Sequence, residues 1–350
     1  MSEQANEEKA EVKKKDSVVS IGLDVGTMHL CAARSDSDDV KITRNVFMKL
    51  DTDDVQVSEL SDISYVEGED NELFIIGSDA FKYANIFGQT VSRPMEKGLI
   101  SPKEISAIDV LTMMIKDLIG DVKSKEAYCS YSVPAEAIDE GRSVTYHENV
   151  FARILKSLGI NYSSVNEAMA IIYSECAKEK FSGIAISFGA GMANVAVSYK
   201  GIQALAFSTA RSGDWIDTET AQSLGMVSNR VTSIKEKYMK FSGEVEIKNK
   251  KTKRVLEALY YYHKALIEYT VKKIIKEFDD KVDIEVDEAI PIIVSGGTSM
   301  PEGFVDLFRD VISGYDLPFD VSEIRPAKNP LTSVANGLLV KTMSDVKGMK

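Results

Sequence analysis

The stretch that decides the fold runs from Val18 to Ala33 and reads VVSIGLDVGTMHLCAA. An apolar, β-branched run leads to Asp24, the chain turns at Gly26-Thr27, and a second apolar run follows. The pattern predicts a strand, a tight turn and a returning strand. Such a turn can aim backbone N–H groups at an anion while Asp24 holds the water shell of a cation. It is equally typical of an ordinary β-hairpin.

Length and composition point to a two-domain globular protein. The chain has 350 residues, which is more than one small hydrophobic core needs. Its 44% hydrophobic and 27% charged residues are typical of soluble proteins. A formal net charge of −12 argues against nonspecific binding to nucleic acid or anionic membrane. The basic runs Lys235–Lys240 and Lys248–Arg254 are interpreted as solvated surface.

Cysteine usage and hydropathy favour a cytoplasmic protein. Cys31, Cys129 and Cys176 lie far apart without a CxxC spacing, which indicates buried thiols in a reducing compartment. Three histidines without clustered cysteines offer no zinc site. No segment has the apolar length of a membrane span or of a signal peptide. Residues 1–17 are polar and aperiodic, and we expect a disordered tail there.

The order of predicted elements suggests two copies of one α/β unit. Each copy reads as a β-meander, one or more helices, a strand and a helix, with a glycine turn after its first strand. The clearest helix opens with Ser101 as N-cap, Pro102 at N1 and Glu104 at N3. Further elements are expected at Tyr128–Val133, Val150–Leu158, Ile184–Phe188, Ala193–Tyr199, Ile202–Thr209, Trp215–Leu224, Arg230–Phe241, Arg254–Phe278, Pro291–Val294 and Pro330–Met343.

Three glycine turns directly follow apolar strands, near positions 24, 189 and 296. Ligands of α/β folds gather at strand ends, and a cleft between two similar domains would bring such turns face to face. Two hairpin turns from opposite domains can hold a phosphate chain through backbone N–H groups. The third turn can pass beneath a nucleoside, because glycine leaves room for a flat base.

Six stretches carry a resemblance to the superfamily of actins, heat-shock chaperones and sugar kinases. They are Ile21–Thr27 (IGLDVGT), Arg93–Ile100 (RPMEKGLI), Ser132–Ala135 (SVPA), Asn166–Ala170 (NEAMA), Val294–Met300 (VSGGTSM) and Asn329–Gly337 (NPLTSVANG). Together they span the chain from about Ser17 to Lys341. Within the superfamily the chain most resembles bacterial actins of the rod-shape and magnetosome types.

The resemblance implies an α/β actin-like ATPase fold with two related domains around a nucleotide cleft. Each domain would have a β-sheet core with helices and a small inserted lobe. Domain I is expected at 18–165, with its lobe at about 45–92 and a C-terminal helix at 330–347 returning to it. Domain II is expected at 166–329, with its lobe at about 218–271.

The resemblance also implies ATP (or GTP) and Mg²⁺ as cofactors. Asp24 would hold Mg²⁺ through water, and Glu167 would orient the attacking water. The alternative role for Glu167 is a helix N-terminal acid stabilised by the dipole, and Lys235 is equally interpreted as a solvated helix lysine. The implied phosphate-binding residues are Gly26, Thr27, Met28, Gly189, Ala190, Gly191 and Met192. The implied nucleoside-binding residues are Gly213, Asp214, Lys235, Ser295, Gly296, Gly297 and Thr298.

The second phosphate loop departs from the superfamily pattern. Ser187 stands where an aspartate is usual, and Met192 stands where a hydroxyl residue is usual. Serine supplies no negative charge to the hydration shell of a metal, and methionine donates no hydrogen bond to phosphate. We therefore expect nucleotide binding to survive these changes more readily than hydrolysis. Asp24 is left as the obvious loop carboxylate for Mg²⁺.

The leading hypothesis is a cytoskeletal protein that binds ATP-Mg²⁺, polymerises with itself into filaments and hydrolyses ATP slowly. Adaptor or cargo partners are not identified by the sequence. Rod-shape actins often carry an apolar membrane-inserting loop where Gly120–Glu126 is polar here, so no direct membrane insertion is expected, nor direct nucleic-acid binding. The alternatives are a nucleotide-stabilised scaffold that barely hydrolyses and a small-molecule kinase of the same superfamily.

Overall fold

Two five-stranded sheets form the centre of the computed structural model, which describes residues 18–50, 63–67, 72–87, 91–103, 106–122, 126–243, 247–282 and 286–349. The predicted tail at 1–17 lies outside these residues, as does part of the polar stretch Gly120–Glu126. The strands are β1 (Val19–Val25), β2 (His29–Arg34), β3 (Lys41–Arg44), β4 (Phe47–Leu50), β5 (Tyr65–Glu67), β6 (Leu73–Ile76), β7 (Met95–Glu96), β8 (Leu99–Ile100), β9 (Ala127–Val133), β10 (Asn161–Asn166), β11 (Gly183–Phe188), β12 (Ala193–Tyr199), β13 (Ile202–Thr209), β14 (Ile290–Ser295) and β15 (Val321–Pro326). The helices are α1 (Gly77–Phe87), α2 (Ala107–Ile119), α3 (Thr145–Ser157), α4 (Glu167–Glu175), α5 (Gly213–Leu224), α6 (Ser228–Tyr238), α7 (Lys250–Lys281), α8 (Phe304–Ile312) and α9 (Ser333–Gly348).

The two sheets have the same topology, which confirms the predicted internal repeat. Their strand orders are β3-β2-β1-β9-β10 and β13-β12-β11-β14-β15. In each sheet the first three strands form an antiparallel meander. The later strands β9 and β14 pair parallel with the first strand of their meander, and β10 and β15 pair parallel with β9 and β14. The carboxyl ends of β1, β9, β11 and β14 therefore face the same side of their sheets, where ligands of such folds bind.

Separate apolar cores cover the outer face of each sheet. In the first half, α2 and α3 bury Leu111, Met114, Phe151 and Leu155 against the sheet. In the second half, α5, α7 and α8 do the same with a larger set that includes Ile216, Leu259 and Phe308. Buried side chains of α4 and α9 form a further cluster against the second sheet. The helix α9 also packs on β1 and β9, so it joins the C-terminal part of the chain to the first sheet.

A small third sheet, ordered β4-β6-β5, packs against α1. It follows β3 in the chain and stands beside the first sheet as a lobe with its own apolar cluster. The predicted boundaries of the domains and lobes stay predictions. Within the described ranges, every helix is too short or too polar to cross a lipid bilayer.

The predicted start of the first long helix at Ser101 is wrong. The backbone N–H of Ser101 donates to the carbonyl of Pro94 (2.9 Å), which ties it to the β7–β8 hairpin. Its hydroxyl accepts from the N–H of Lys103 at 3.4 Å, so it caps a turn and not a helix. The helix α2 begins at Ala107, and the predicted N3 residue Glu104 lies outside the described residues.

Candidate functional site

A cavity of about 540 Å³ lies between the two sheets, beside the ends of β1, β11 and β14. Its volume falls within the range of small-molecule sites. All but one of the site residues predicted from the sequence line it; Ser295 does not. Those that line it are Asp24, Gly26, Thr27, Met28, Glu167, Gly189, Ala190, Gly191, Met192, Gly213, Asp214, Lys235, Gly296, Gly297 and Thr298.

The β1–β2 and β11–β12 turns have equivalent backbone geometry. In the first turn the N–H of Gly26 donates to the carbonyl of His29 at 3.0 Å. In the second turn the N–H of Gly189 donates to the carbonyl of Met192, also at 3.0 Å. The N–H groups that follow make no hydrogen bond within the described part of the chain; they belong to Thr27, Met28, Ala190 and Gly191. Each turn therefore brings unused donors to the cavity, as an anion requires.

Hydrogen bonds from residues outside the turns hold the carbonyl groups of both turns. Asn45 donates from Nδ2 to the carbonyl of Gly26 (3.0 Å) and from its N–H to the carbonyl of Met28 (2.8 Å). The carbonyl of Gly189 accepts from the hydroxyls of Thr298 (2.8 Å) and Ser212 (2.6 Å). With their carbonyls occupied in this way, the turns are held in one conformation before any ligand binds.

In the third turn, the backbone of Gly296 lies close to the backbone of Phe188 at the end of β11. Gly296 has a φ of 90°, and a Cβ there would overlap the carbonyl oxygen of Phe188. Only glycine fits this position. The neighbouring Gly297 has open space around it and lines the cavity. Ser295 instead points its hydroxyl at the carbonyl of Pro330 (3.0 Å) and the hydroxyl of Ser333 (2.6 Å), so it anchors the turn to the start of α9.

Among the residues that the structure describes, five carboxylates line the cavity, and three of these are paired with a basic side chain. The pairs are Asp214 with Arg93 (2.9 Å), Asp217 with Lys235 (2.8 Å) and Glu236 with Arg44 (2.8 Å). His29 also lines the cavity, but burial and then the charge of Arg44 lower its pKa to about 4. His29 is therefore uncharged at neutral pH. The three basic side chains named above each form an ion pair with one of these acids.

The other two carboxylates, Asp24 and Glu167, are held by neutral groups. The hydroxyl of Ser132 donates to Oδ1 of Asp24 at 2.9 Å. Nδ2 of Asn194 donates to Oε2 of Glu167 at 2.9 Å. Burial, followed by the negative charge of Glu167, raises the pKa of Asp24 to about 8. Burial also raises the pKa of Glu167, against the effect of hydrogen bonds from Ser187 and Asn194.

The residues present fit a magnesium ion that arrives with a phosphate chain. Among the described residues, no group of three or more His, Cys, Asp or Glu could hold a metal. The site can offer the carboxylate of Asp24, with that of Glu167 nearby. Mg²⁺ keeps several waters and typically takes one or two carboxylates together with substrate phosphates. Asp24 and Glu167 are half-buried and have no basic partner among the described residues, so a bound cation would also reduce the repulsion between them.

The far end of the cavity combines a buried ion pair with apolar walls. The side chain of Lys235 is only 13% exposed and contacts both Asp217 and the carbonyl of Gly213 (3.4 Å). The interpretation of Lys235 as a solvated lysine is therefore wrong, although it can hold for its exposed neighbours. Met239 and Met300 supply apolar walls on which a flat base can pack.

Several residues of the site escaped the sequence reasoning. Ser132, Arg93 and Asn194 lie in stretches with a predicted element or a family resemblance. The available signal was a polar residue within an apolar strand, near the end of β9 for Ser132 and at the start of β12 for Asn194. Arg44 and Asp217 carry no motif, because their partners are on other elements of the fold.

Comparisons with known proteins agree with this fold. The family model described as Volactin matches residues 19–342. Among solved structures, the chain is similar to the MamK double helical filament, with a TM-score of 0.70 and 16% identity over 93% of this chain and 99% of that one. It is also similar to MreB5 of Spiroplasma citri bound to ADP, with a TM-score of 0.65 and 14% identity over 95% and 98% of the two chains.

The ethanolamine utilization protein EutJ from Carboxydothermus hydrogenoformans is a further similar structure, with a TM-score of 0.53 and 15% identity over 94% of this chain and 93% of that one. Comparison with curated proteins finds no significant match. The neighbours confirm the predicted α/β actin-like ATPase fold and the resemblance to bacterial actins. Because the family model covers nearly the whole chain, this protein belongs to the Volactin family.

Proposed function

We propose that this protein binds ATP with Mg²⁺ in the cleft and assembles with itself into actin-like filaments, hydrolysing ATP slowly. One observation carries the proposal: two equivalent turns bring unused N–H donors into the same cavity as two half-buried carboxylates, which have no basic partner among the described residues. Donors for an anion and acids for a cation are the two requirements of a metal–phosphate ligand.

In this proposal each group has a separate task. The N–H groups of the two turns bind the β- and γ-phosphates, and Asp24 holds Mg²⁺ through water. When bound, Mg²⁺ neutralises charge on the phosphates. Glu167, oriented by Asn194, aligns the attacking water, since phosphoryl transfer depends mostly on positioning and charge. The base packs between Met239 and Met300. ATP is the first nucleotide to test, followed by GTP.

Self-assembly is supported by the likeness in fold to a protein solved as a double helical filament and to one solved with ADP. A nucleotide that touches both halves of the chain would favour a closed arrangement of the two sheets. Head-to-tail contacts that do not close on themselves then give an open filament. We propose a cytoplasmic filament with unidentified adaptors or cargo.

A second candidate is a nucleotide-stabilised scaffold with little hydrolysis. It is favoured by Ser187, which is buried at the end of β11 and lines the cavity together with Glu167. A serine here leaves the metal without a second loop carboxylate, so binding is retained while catalysis weakens. If ATP turnover requires an added small molecule that accepts the phosphoryl group, the protein is a small-molecule kinase instead.

The test combines nucleotide binding, sedimentation and electron microscopy of the purified chain. Binding of ATP, GTP and ADP is measured with and without Mg²⁺, and pelleting is measured with ATP, AMPPNP or no nucleotide across salt conditions. Glu167→Ala should form filaments without releasing phosphate, whereas Glu257→Ala, on the exposed face of α7, should behave like the parent. Protein that binds nucleotide but never pellets or forms filaments would refute the assembly, and absence of nucleotide binding would refute the whole proposal.

A further inference from the structure

Two ion pairs join the first and second halves of the chain across the mouth of the cleft. Arg44, the last residue of β3, reaches Glu236 on α6 with Nη2 2.8 Å from Oε2. Arg93, which precedes β7, places Nη1 at 3.0 and 2.9 Å from the two carboxylate oxygens of Asp214 in the first turn of α5. We call Arg44–Glu236 and Arg93–Asp214 the cleft-bridging ion pairs.

Each arginine is anchored on its own side of the cleft. The guanidinium of Arg44 lies 5.4 Å from the ring centroid of Phe81 on α1, so it connects the small lobe to the second half of the chain. Nη2 of Arg93 lies 3.8 Å from the sulfur of Met28 in the first turn. Each arginine thus connects an acid that lines the cavity, in the second half of the chain, to an element of the first half.

The other charged pair of the cavity behaves differently. Lys235 and Asp217 both belong to the second half, and their side chains are 13% and 5% exposed. The cleft-bridging pairs are 23 to 41% exposed, so water and salt reach them. Ion pairs of this kind are weak one by one and sensitive to ionic strength, which suits contacts that must open and close.

We propose that the cleft-bridging ion pairs gate nucleotide exchange, holding the mouth shut and setting how fast nucleotide leaves. This inference rests on the proposed function, because it concerns release from the same cleft. In this proposal the nucleotide leaves when the mouth widens, and widening separates Arg44 from Glu236 and Arg93 from Asp214. The rate of release is therefore governed by salt as well as by the contacts of the nucleotide itself.

The first measurement is release of a fluorescent ATP analogue in the presence of Mg²⁺, chased with unlabelled ATP below the concentration for assembly. Arg44→Gln and Arg93→Gln should each accelerate release about threefold, and the double variant about tenfold. Raising the salt from about 0.1 to about 1 M should accelerate release from the parent and change the double variant little. Lys240→Gln removes the exposed pair with Glu302, which lies within the second half, and should leave release unchanged.

The second measurement needs no nucleotide. Spin labels at Lys82→Cys on α1 and Lys253→Cys on α7 report the width of the mouth, since the native cysteines are buried. The double arginine variant should give longer and broader label distances than the parent. Unchanged release together with unchanged distances overturns the gate and leaves nucleotide binding intact. If no variant binds nucleotide, the proposed function fails, and the label distances alone decide whether these pairs close the mouth.

Discussion

Asn194 holds the carboxylate of Glu167 through its side-chain amide, with Nδ2 2.9 Å from Oε2. The amide oxygen of Asn194 in turn accepts from the hydroxyl of Ser208. Because an ionised carboxylate only accepts hydrogen bonds, the NH₂ group of Asn194 is directed at Glu167, and Oδ1 is left to accept from Ser208. Asn194 and Ser208 are both almost fully buried in the second sheet, so the carboxylate is positioned by a rigid element.

This contact predicts that Asn194→Ala slows ATP turnover without abolishing nucleotide binding. Losing a hydrogen bond to a carboxylate and the alignment that it gives should lower the turnover rate about tenfold or more, with affinity changed less than about threefold. Phosphate release and binding of the same nucleotide are measured in parallel, with Asn149→Ala on the exposed side of α3 as the control. Equal losses of turnover and affinity would mean that Asn194 only supports the fold.

Local patterns were sufficient to predict where the ligand-facing turns lie. An apolar strand that ends in glycine defines the turns at Gly26, Gly189 and Gly296, and all three line one cavity. The signal is local because the strand, the turn and its glycine are neighbours in the chain. The prediction of two related units succeeded for the same reason, since each meander is formed by consecutive strands.

Features decided by distant contacts could not be predicted in this way. The strand β15 is half exposed and carries Glu323 and Arg325, so nothing but its pairing with β14 marks it as a strand. The turn at Ser101 depends on Pro94, and the burial of Lys235 depends on Asp217 on another helix. In each case the deciding partner lies in an element whose position the sequence does not state.

The raised pKa of Asp24 predicts that Mg²⁺-nucleotide binding releases a proton. At neutral pH the ligand-free Asp24–Glu167 pair retains a proton, because burial and mutual repulsion favour it. The bound cation favours the ionised form, so affinity should rise with pH until about pH 8 and then level off. Titration calorimetry in buffers of different ionisation enthalpy measures the proton, and Asp24→Asn should lose both the proton release and most of the Mg²⁺ dependence.

The same pair predicts how the stability of the ligand-free protein depends on pH. An acid whose pKa is higher in the folded than in the unfolded state stabilises the fold fully below its unfolded pKa, and the stabilisation is lost as pH rises through its folded pKa. For Asp24 the loss is expected between about pH 4 and pH 8. The melting temperature of the ligand-free parent should therefore fall over this range more than that of Asp24→Asn, and an identical fall in both would contradict the assignment.

Ser187→Asp tests whether the missing carboxylate limits hydrolysis. Ser187 lines the cavity together with Glu167, so an aspartate there would contribute a further negative charge to a bound cation. We expect faster phosphate release at saturating Mg²⁺ and weaker binding without Mg²⁺, because the acids then repel each other. Ser187→Asn is the matched control, since it adds similar bulk without charge. No gain in phosphate release for Ser187→Asp would show that metal coordination is not what limits the rate.

The crossing of α9 and α4 leaves no room for a side chain at Gly337, where a Cβ would overlap the carbonyl oxygen of Ala170. Backbone cannot yield as a flexible side chain does, so Gly337→Ala must push the helices apart at a cost of about 1–3 kcal/mol or more. The control is Gly348→Ala, which meets nothing within 4 Å and should be neutral or slightly stabilising. Thermal unfolding measures both. Since α4 begins at Glu167, the displacement should also lower ATP turnover more than nucleotide affinity. A Gly337→Ala protein with unchanged melting temperature and turnover would show that the two helices are free to adjust.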